Sequence, residues 1–184
     1  MSGKFFIISG PSGVGKGTVL KDVMQQREGL EFSVSATTRG PRPGEVEGVH
    51  YYFISHEKFE DMIRNNEFIE YNLHANACYG TPLKQLEEKL ARSNVILDIE
   101  PKGAAIVHRQ RPDATLIFIM PPSLEELERR LRGRGDTSEE QIALRLERAK
   151  WEIKQRFWYD YVVINDRLED CVEEVLKIIA EKAD

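Results

Sequence analysis

Close to the start of the chain, Gly10-Pro11-Ser12-Gly13-Val14-Gly15-Lys16-Gly17-Thr18 follows an apolar run, Phe5 to Ile8, and precedes Val19 to Met24. The run reads as a buried strand and the segment after the loop as the opening of a helix. Strand, glycine-rich turn, helix is the order of a phosphate-binding loop. Its glycines let the backbone turn so that successive N–H groups point inward at phosphate oxygens, and the helix N-terminus adds a partial positive charge there. Lys16 adds a full charge within reach of a transferred phosphate. An ordinary glycine-rich turn is the plainer alternative, but Gly10, Gly15 and Lys16 at this spacing and in this context speak against it. One position departs from the pattern: the Ser or Thr expected directly after the lysine, facing magnesium, is Gly17, and the hydroxyl follows one residue later on Thr18.

A chain of 184 residues supports one sizeable core and is short for two independent domains, so insertions carried on one core are expected. The net charge of −5 exerts no general pull towards nucleic acid or an anionic membrane, and basic patches need local explanations. Cys78 and Cys171 make no metal-ligand pattern, and no leader or long apolar span is seen. Whether the two cysteines pair is open; a reduced, cytoplasmic chain is the simpler reading.

After the first helix, Gly29 offers a stop and Phe32 to Ala36 reads as a short strand. Thr37 to Glu45 follows, an irregular polar loop with two arginines close together. His50 to Ile54 is strand-like, His56 to Asn66 carries Phe59, Met62 and Ile63 at helical spacing, and Phe68 to Leu73 alternates like a half-exposed strand. A short antiparallel sheet packed on one helix is the expected insertion. Thr81-Pro82 then reads as an N-cap with proline at the first helical position, ahead of a Leu83, Leu86, Leu90 stripe.

Val95 to Ile99 is a buried strand carrying an acid, Lys102 to Arg111 a helix, and Thr115 to Met120 another strand. Ser123 with Glu126, and Ser138 with Gln141, form capping boxes opening two helices, with the glycine-rich, basic Arg132 to Asp136 between them. The second helix ends near Trp158; Tyr161 to Ile164 is a strand, and Arg167 to Ala183 an amphipathic helix. Strands alternating with helices and fed by a phosphate loop imply a parallel sheet covered on both faces, which binds ligands beyond the carboxyl ends of its strands. Gly10, Ser35, Asp98, Met120 and Asn165 then share one edge.

Taken together, the phosphate loop, Ser35 to Arg42, Asn66 to Tyr71, Tyr79-Gly80-Thr81, Leu97 to Glu100, Arg130 to Gly135 and Val163 to Asp166 resemble guanylate kinases, in order and along essentially the whole chain. The resemblance implies an α/β fold of the P-loop nucleoside monophosphate kinase type, a parallel sheet flanked by helices. It also implies one domain: a core over 1–33 and 82–184, a small α+β GMP-binding insertion over 34–81, and a mobile lid over 130–146. The implied activity is transfer of the γ-phosphoryl group of ATP to GMP, with magnesium, in the cytoplasm and with neither nucleic acid nor membrane as partner.

Arg39 and Arg42 in one loop suit a second anionic phosphate, because guanidinium forks bind phosphate oxygens in pairs, although two solvated loop arginines fit the composition as well. Tyr51 and Tyr79 have phenol hydroxyls able to complete that site, or are core aromatics with a wet hydroxyl. The resemblance assigns all four to the GMP phosphate. Glu70 is the expected base reader: guanine offers N1–H and a 2-amino group side by side, and an ionised carboxylate offers two acceptors at matching separation. Strand alternation alone favours a solvent-facing Glu70.

The resemblance adds Ser35 and Thr81 as base contacts, places Glu100 near the base, and sets Asp98 near magnesium and Lys16. Asp98 also reads as a strand-end acid satisfying backbone donors, and Glu100 is longer than the Asp expected in many members. Arg130, Arg134 and Arg145 match lid arginines around the ATP phosphates, and Asn165 an adenine-side contact; in plain sequence the arginines belong to helices rich in surface pairs. Arg129, Arg132 and Arg148 are assigned to solvated faces. Magnesium would be held by ATP phosphates and water, with Thr18 or Asp98 reaching it. No histidine is needed, because the acceptor oxygen belongs to a phosphate already anionic near neutral pH. Two other readings keep the fold: a phosphopeptide-binding module without catalysis, and a kinase of a phosphorylated ribose.

Overall fold

The computed structural model describes residues 3–74, 77–133 and 138–183, the side chain of His74 excepted. The first half of the chain forms β1 (Phe5–Ser9), α1 (Lys16–Gln26), β2 (Leu30–Phe32), β3 (Ala36–Thr37), β4 (Tyr52–Phe53), α2 (His56–Arg64), β5 (Phe68–His74) and β6 (Ala77–Pro82). The second half forms α3 (Leu83–Leu90), β7 (Asn94–Asp98), α4 (Pro101–Gln110), β8 (Thr115–Met120), α5 (Leu124–Arg132) and α6 (Glu139–Lys154). A 3-10 turn (Gln155–Trp158), β9 (Tyr161–Ile164) and α7 (Leu168–Ala183) complete it.

β1 is apolar on both faces because it is the middle strand of a five-stranded parallel sheet, ordered β2-β7-β1-β8-β9, with helices packed above and below. Phe6 and Ile8 join one buried cluster with Val19 and Leu20 of α1 and Val175 and Ile179 of α7. Phe5 and Ile7, pointing the other way, join a second with Leu86 of α3 and Ala104 and Val107 of α4. Each of the valine, leucine, isoleucine and phenylalanine side chains, fully withdrawn from water, contributes about 1.5–3 kcal/mol to the fold. The register Ile8↔Asp98, Ile8↔Ile117 and Met120↔Ile164 brings the carboxyl ends of the strands to one edge. Gly10, Asp98, Met120 and Asn165 stand there, as the alternation implies.

The second sheet, ordered β4-β3-β6-β5, differs from the expected antiparallel one. β3 pairs parallel with β4, through Ala36↔Tyr52 and Thr37↔Phe53, because the long loop between them carries the chain back to run in the same direction. The other pairs are antiparallel. The single strand expected over Phe32 to Ala36 is broken: β2 ends on β7 in the large sheet, and β3 starts on β6 in the small one. Only Tyr52 and Phe53 of the strand expected over His50 to Ile54 form β4.

Thr81-Pro82 is not a cap followed by a first helical residue. Both close β6, Pro82 is itself the N-cap of α3, and no side chain caps that helix. The serine half of each expected capping box is made, Ser123 Oγ accepting from Glu126 N at 3.1 Å and Ser138 Oγ from Gln141 N at 3.3 Å, whereas the Glu126 carboxylate goes to Arg129 and Arg130. α6 stops at Lys154 and tightens into the 3-10 turn before β9. Cys78 and Cys171 are both free, and among the described residues no helix is long and apolar enough to cross a membrane.

Candidate active site

Gly13 and Gly15 adopt left-handed backbone, with φ of 89° and 93°, and it is this pair of turns that bends the loop over the start of α1. Gly15 is the N-cap of α1, its carbonyl accepting from Thr18 N at 3.1 Å and Val19 N at 3.2 Å. The loop from Gly10 to Thr18 lines a cleft of about 380 Å³. The Val14 carbonyl is drawn away by Asn165 Nδ2 at 2.8 Å and Arg130 Nη1 at 3.2 Å. Arg130 is itself braced on Glu126 at 2.7 Å. Asn165 and Arg130, expected on the ATP side, therefore reach the loop through its backbone, a role that residue type alone does not signal. Gly17 is exposed, outside the left-handed set, and a Cβ there would meet nothing within 4 Å. Thr18 is exposed on the first turn of α1.

Lys16 donates to Asp98 at the end of β7, and Asp98 also lines a second cleft of about 210 Å³ together with Ser35, Tyr51, Glu70 and Tyr79. The loop lysine and the second pocket thus meet at one carboxylate. At one end of that pocket Arg39 presents its fork to Glu45, Nη1 to Oε2 at 2.6 Å and Nη2 to Oε1 at 2.7 Å. Its Nε donates to the Tyr79 hydroxyl at 3.2 Å, and the guanidinium sits 4.9 Å from the Tyr51 ring centre. Arg42 is exposed and joins this cluster through its backbone N–H, 2.8 Å from Glu45. The Arg39 guanidinium and the Arg42 amide hold the Glu45 carboxyl at about 2. Sequence reasoning missed Glu45, although an acid three and six residues beyond two arginines in one loop is a readable signal.

Glu70 is buried, 7% exposed, where strand alternation favours solvent. The register slips between Phe68 and Glu70, so β5 holds one extra residue against β6, and the resulting bulge turns Glu70 inward beside buried Ile69. Glu70 comes to lie opposite Thr81, whose hydroxyl donates to Glu70 Oε1 at 2.6 Å. Burial pushes the Glu70 carboxyl up to about 7, helped by the charge of Glu100 and opposed by the Thr81 hydroxyl and backbone hydrogen bonds. Glu100 accepts from Asn72 on β5 and from Arg148 on α6. Arg148 is therefore not on a merely solvated face; its Nε also donates to Glu152 at 2.9 Å.

The chain matches the family model described as guanylate kinase over residues 2–182. It belongs to the guanylate kinase family. It is 49% identical over 180 residues to a guanylate kinase of Thermus thermophilus, covering 97% of this chain and 81% of the relative. It is 46% identical over 179 residues to that of Trichodesmium erythraeum, covering 97% and 96%. A crystal structure of guanylate kinase from Anaplasma phagocytophilum superposes with a TM-score of 0.79 at 34% identity, covering 99% of this chain and 87% of that one.

Within the guanylate kinase fold, the segment expected as a lid, 130–146, includes the last turn of α5 and the first half of α6. Arg134 lies outside the described residues. Arg145 is half-buried on α6, while Arg129 and Arg132 pair with acids on their own helices and across to Glu139. Leu127 and Leu131 of α5 and Ala149 of α6 form a small buried cluster, and a Cβ on Gly13 would stand 2.6 Å from Leu131 Cδ2, so the α5–α6 pair packs directly on the loop.

Proposed function

We propose that the Gly10–Thr18 cleft takes the phosphates of ATP, that the Glu70 pocket takes GMP, and that the phosphoryl group passes between them in line. The chain is an ATP:GMP phosphotransferase of the nucleoside monophosphate kinase type. The observation that carries the residue assignments is the buried Glu70 carboxyl in a pocket that Asp98 joins to Lys16. A carboxylate held there matches the two adjacent donors of guanine. Adenine would set a lone pair against it, and a buried acceptor left unpaired costs about 1–3 kcal/mol.

Ser35 lines the same pocket, and the Thr81 hydroxyl occupies one lone pair of Glu70 Oε1, so that both carboxylate oxygens keep a lone pair for the two guanine donors. Arg39 and Arg42, with Tyr51 and Tyr79, take the GMP phosphate. Its oxygen is already anionic, so no general base is needed, and the work of the site is to hold two mutually repelling phosphates in line. Lys16 exchanges Asp98 for the transferred phosphoryl group and neutralises charge spreading there. Arg130, Arg134 and Arg145 act from the lid side, and closure over the clefts excludes water as a competing acceptor.

Magnesium accompanies ATP in this proposal. The hard oxygens of Asp98 and Thr18 fit an ion held mainly by phosphates and water, as one carboxylate is enough for such a site. When bound it supplies charge neutralisation on the phosphate oxygens. The product GDP feeds purine nucleotide metabolism, and a cytoplasmic location accords with these substrates. ADP formation measured with ATP, magnesium and a panel of nucleoside monophosphates and ribose phosphates tests the assignment. Turnover is expected with GMP; turnover with another acceptor and none with GMP overturns it.

A further inference from the structure

Four polar contacts run in series from the loop to the small sheet. The backbone N–H of Ser12, in the middle of the phosphate-binding loop, donates to Glu152 Oε2 at 3.3 Å. Glu152 is buried, and its other oxygen accepts from Arg148 Nε at 2.9 Å. The far end of the same guanidinium, Nη2, donates to Glu100 Oε2. The remaining Glu100 oxygen accepts from Asn72 Nδ2 on β5, two residues from Glu70. One planar guanidinium on α6 thereby joins a carboxylate facing the loop to a carboxylate lining the Glu70 pocket.

The join crosses an opening. A cleft of about 560 Å³ separates β5 from α6, with Asn72 and Leu73 on one wall and Trp151 and Glu152 on the other, and it shares Asn72 and Glu100 with the Glu70 pocket. Across such a gap the two elements are not held by packed side chains at this point. A fork whose two ends must be satisfied together sets their separation instead. The half-exposed Arg148 side chain leaves the contact weak enough to be made and broken, while the 4% exposure of the Glu152 side chain fixes its inner end.

Resting on the assignment of the two clefts to ATP and GMP, we infer that Arg148 is a positioning residue that couples them, by linking Glu152 at the loop to Glu100 at the base pocket. A phosphate received by the loop competes for the Ser12 N–H and alters the hold on Glu152. The change passes through Arg148 to Glu100 and Asn72, the groups beside the guanine. Such coupling is reciprocal: whatever factor an ATP analogue adds to GMP affinity, GMP adds to that of the analogue.

The test is calorimetric titration of GMP with and without a non-hydrolysable ATP analogue and magnesium, and of the analogue with and without GMP. It is carried out on the native chain, Arg148→Met and Arg148→Lys. The native chain is expected to show a coupling factor of about fivefold or more, equal in both directions. Arg148→Met, which keeps the apolar stem and loses the fork, drops the factor to near one while still binding each nucleotide alone. Arg148→Lys, whose single head cannot hold both carboxylates in the same geometry, restores part of it. A residue serving only stability would move melting temperature and leave the factor unchanged. An undiminished factor in Arg148→Met overturns the inference and leaves the kinase assignment standing, as does the absence of coupling in a native chain that binds both nucleotides. A native chain that does not bind GMP overturns both.

Discussion

Thr81 donates its hydroxyl to Glu70 across the β5–β6 pair at 2.6 Å, and the carboxyl that receives it is buried and pushed up to about 7. Guanine needs that carboxyl ionised, so a proton and the base compete for it. Guanosine affinity, measured to leave the nucleotide phosphate out of the titration, is expected to fall about tenfold per pH unit below 7 and to level off above it. In Glu70→Gln the slope should vanish and GMP affinity should drop at least about tenfold, with ATP affinity nearly unchanged. A Glu70→Gln chain that loses both nucleotides equally contradicts the role given to Glu70.

The same shift has a stability consequence of known sign. The native chain holds the Glu70 proton to about 7, against an ordinary value of 4.5. Between those values the native state binds more protons than the unfolded one, so stability falls as pH rises through this window and the cost is complete above 7. Glu70→Gln is therefore expected to melt above the native chain at pH 8, by an amount on the order of 3 kcal/mol, and to lose that advantage towards pH 4. Melting curves at the two pH values decide it.

Glu45 takes both ends of the Arg39 fork. Replacing it by glutamine leaves one acceptor and no charge, so Arg39 loses its fixed orientation beside Tyr79. The KM for GMP should rise about tenfold in Glu45→Gln while the KM for ATP stays put. Steady-state kinetics with each substrate varied in turn separate this from a general folding defect, which would lower the apparent kcat and leave both KM values unchanged.

Two glycines of one loop should respond oppositely. Gly17 has open space where a Cβ would sit and no left-handed backbone, so Gly17→Ser should retain GMP binding and change the magnesium dependence only modestly. Gly15 has a φ of 93°, and a Cβ would stand 2.8 Å from Asn165 Nδ2, so Gly15→Ala should abolish ATP binding. Titration with an ATP analogue compares the two; loss in Gly17→Ser would show a backbone requirement there that the structure does not contain.

The Val14 carbonyl depends on Asn165, which is buried at 6% exposure. Asn165→Ala should cost about 1–3 kcal/mol of stability and weaken ATP more than GMP, because the carbonyl loses a partner and the loop its brace. Denaturant melts with paired nucleotide titrations check it.

The sequence by itself determined the large sheet and its edge. Phe5 to Ile8, Val95 to Leu97 and Leu116 to Met120 are continuous apolar runs, and the glycine spacing before Lys16 fits a phosphate-binding turn at the strand end. Local pattern was enough there because each strand is buried on both faces. Only the tertiary structure decided the small sheet and the partners of the charged groups. A one-residue bulge reverses the face of Glu70, and a break at Ser33 to Ser35 sends the chain from one sheet to the other. Thr81 serves the pocket rather than a helix end, and Arg148, indistinguishable in sequence from Arg129 and Arg132, alone of the three reaches the Glu70 pocket. Periodicity records which face of an element is apolar; pairing between residues tens of positions apart depends on registers and crossings that no local pattern encodes.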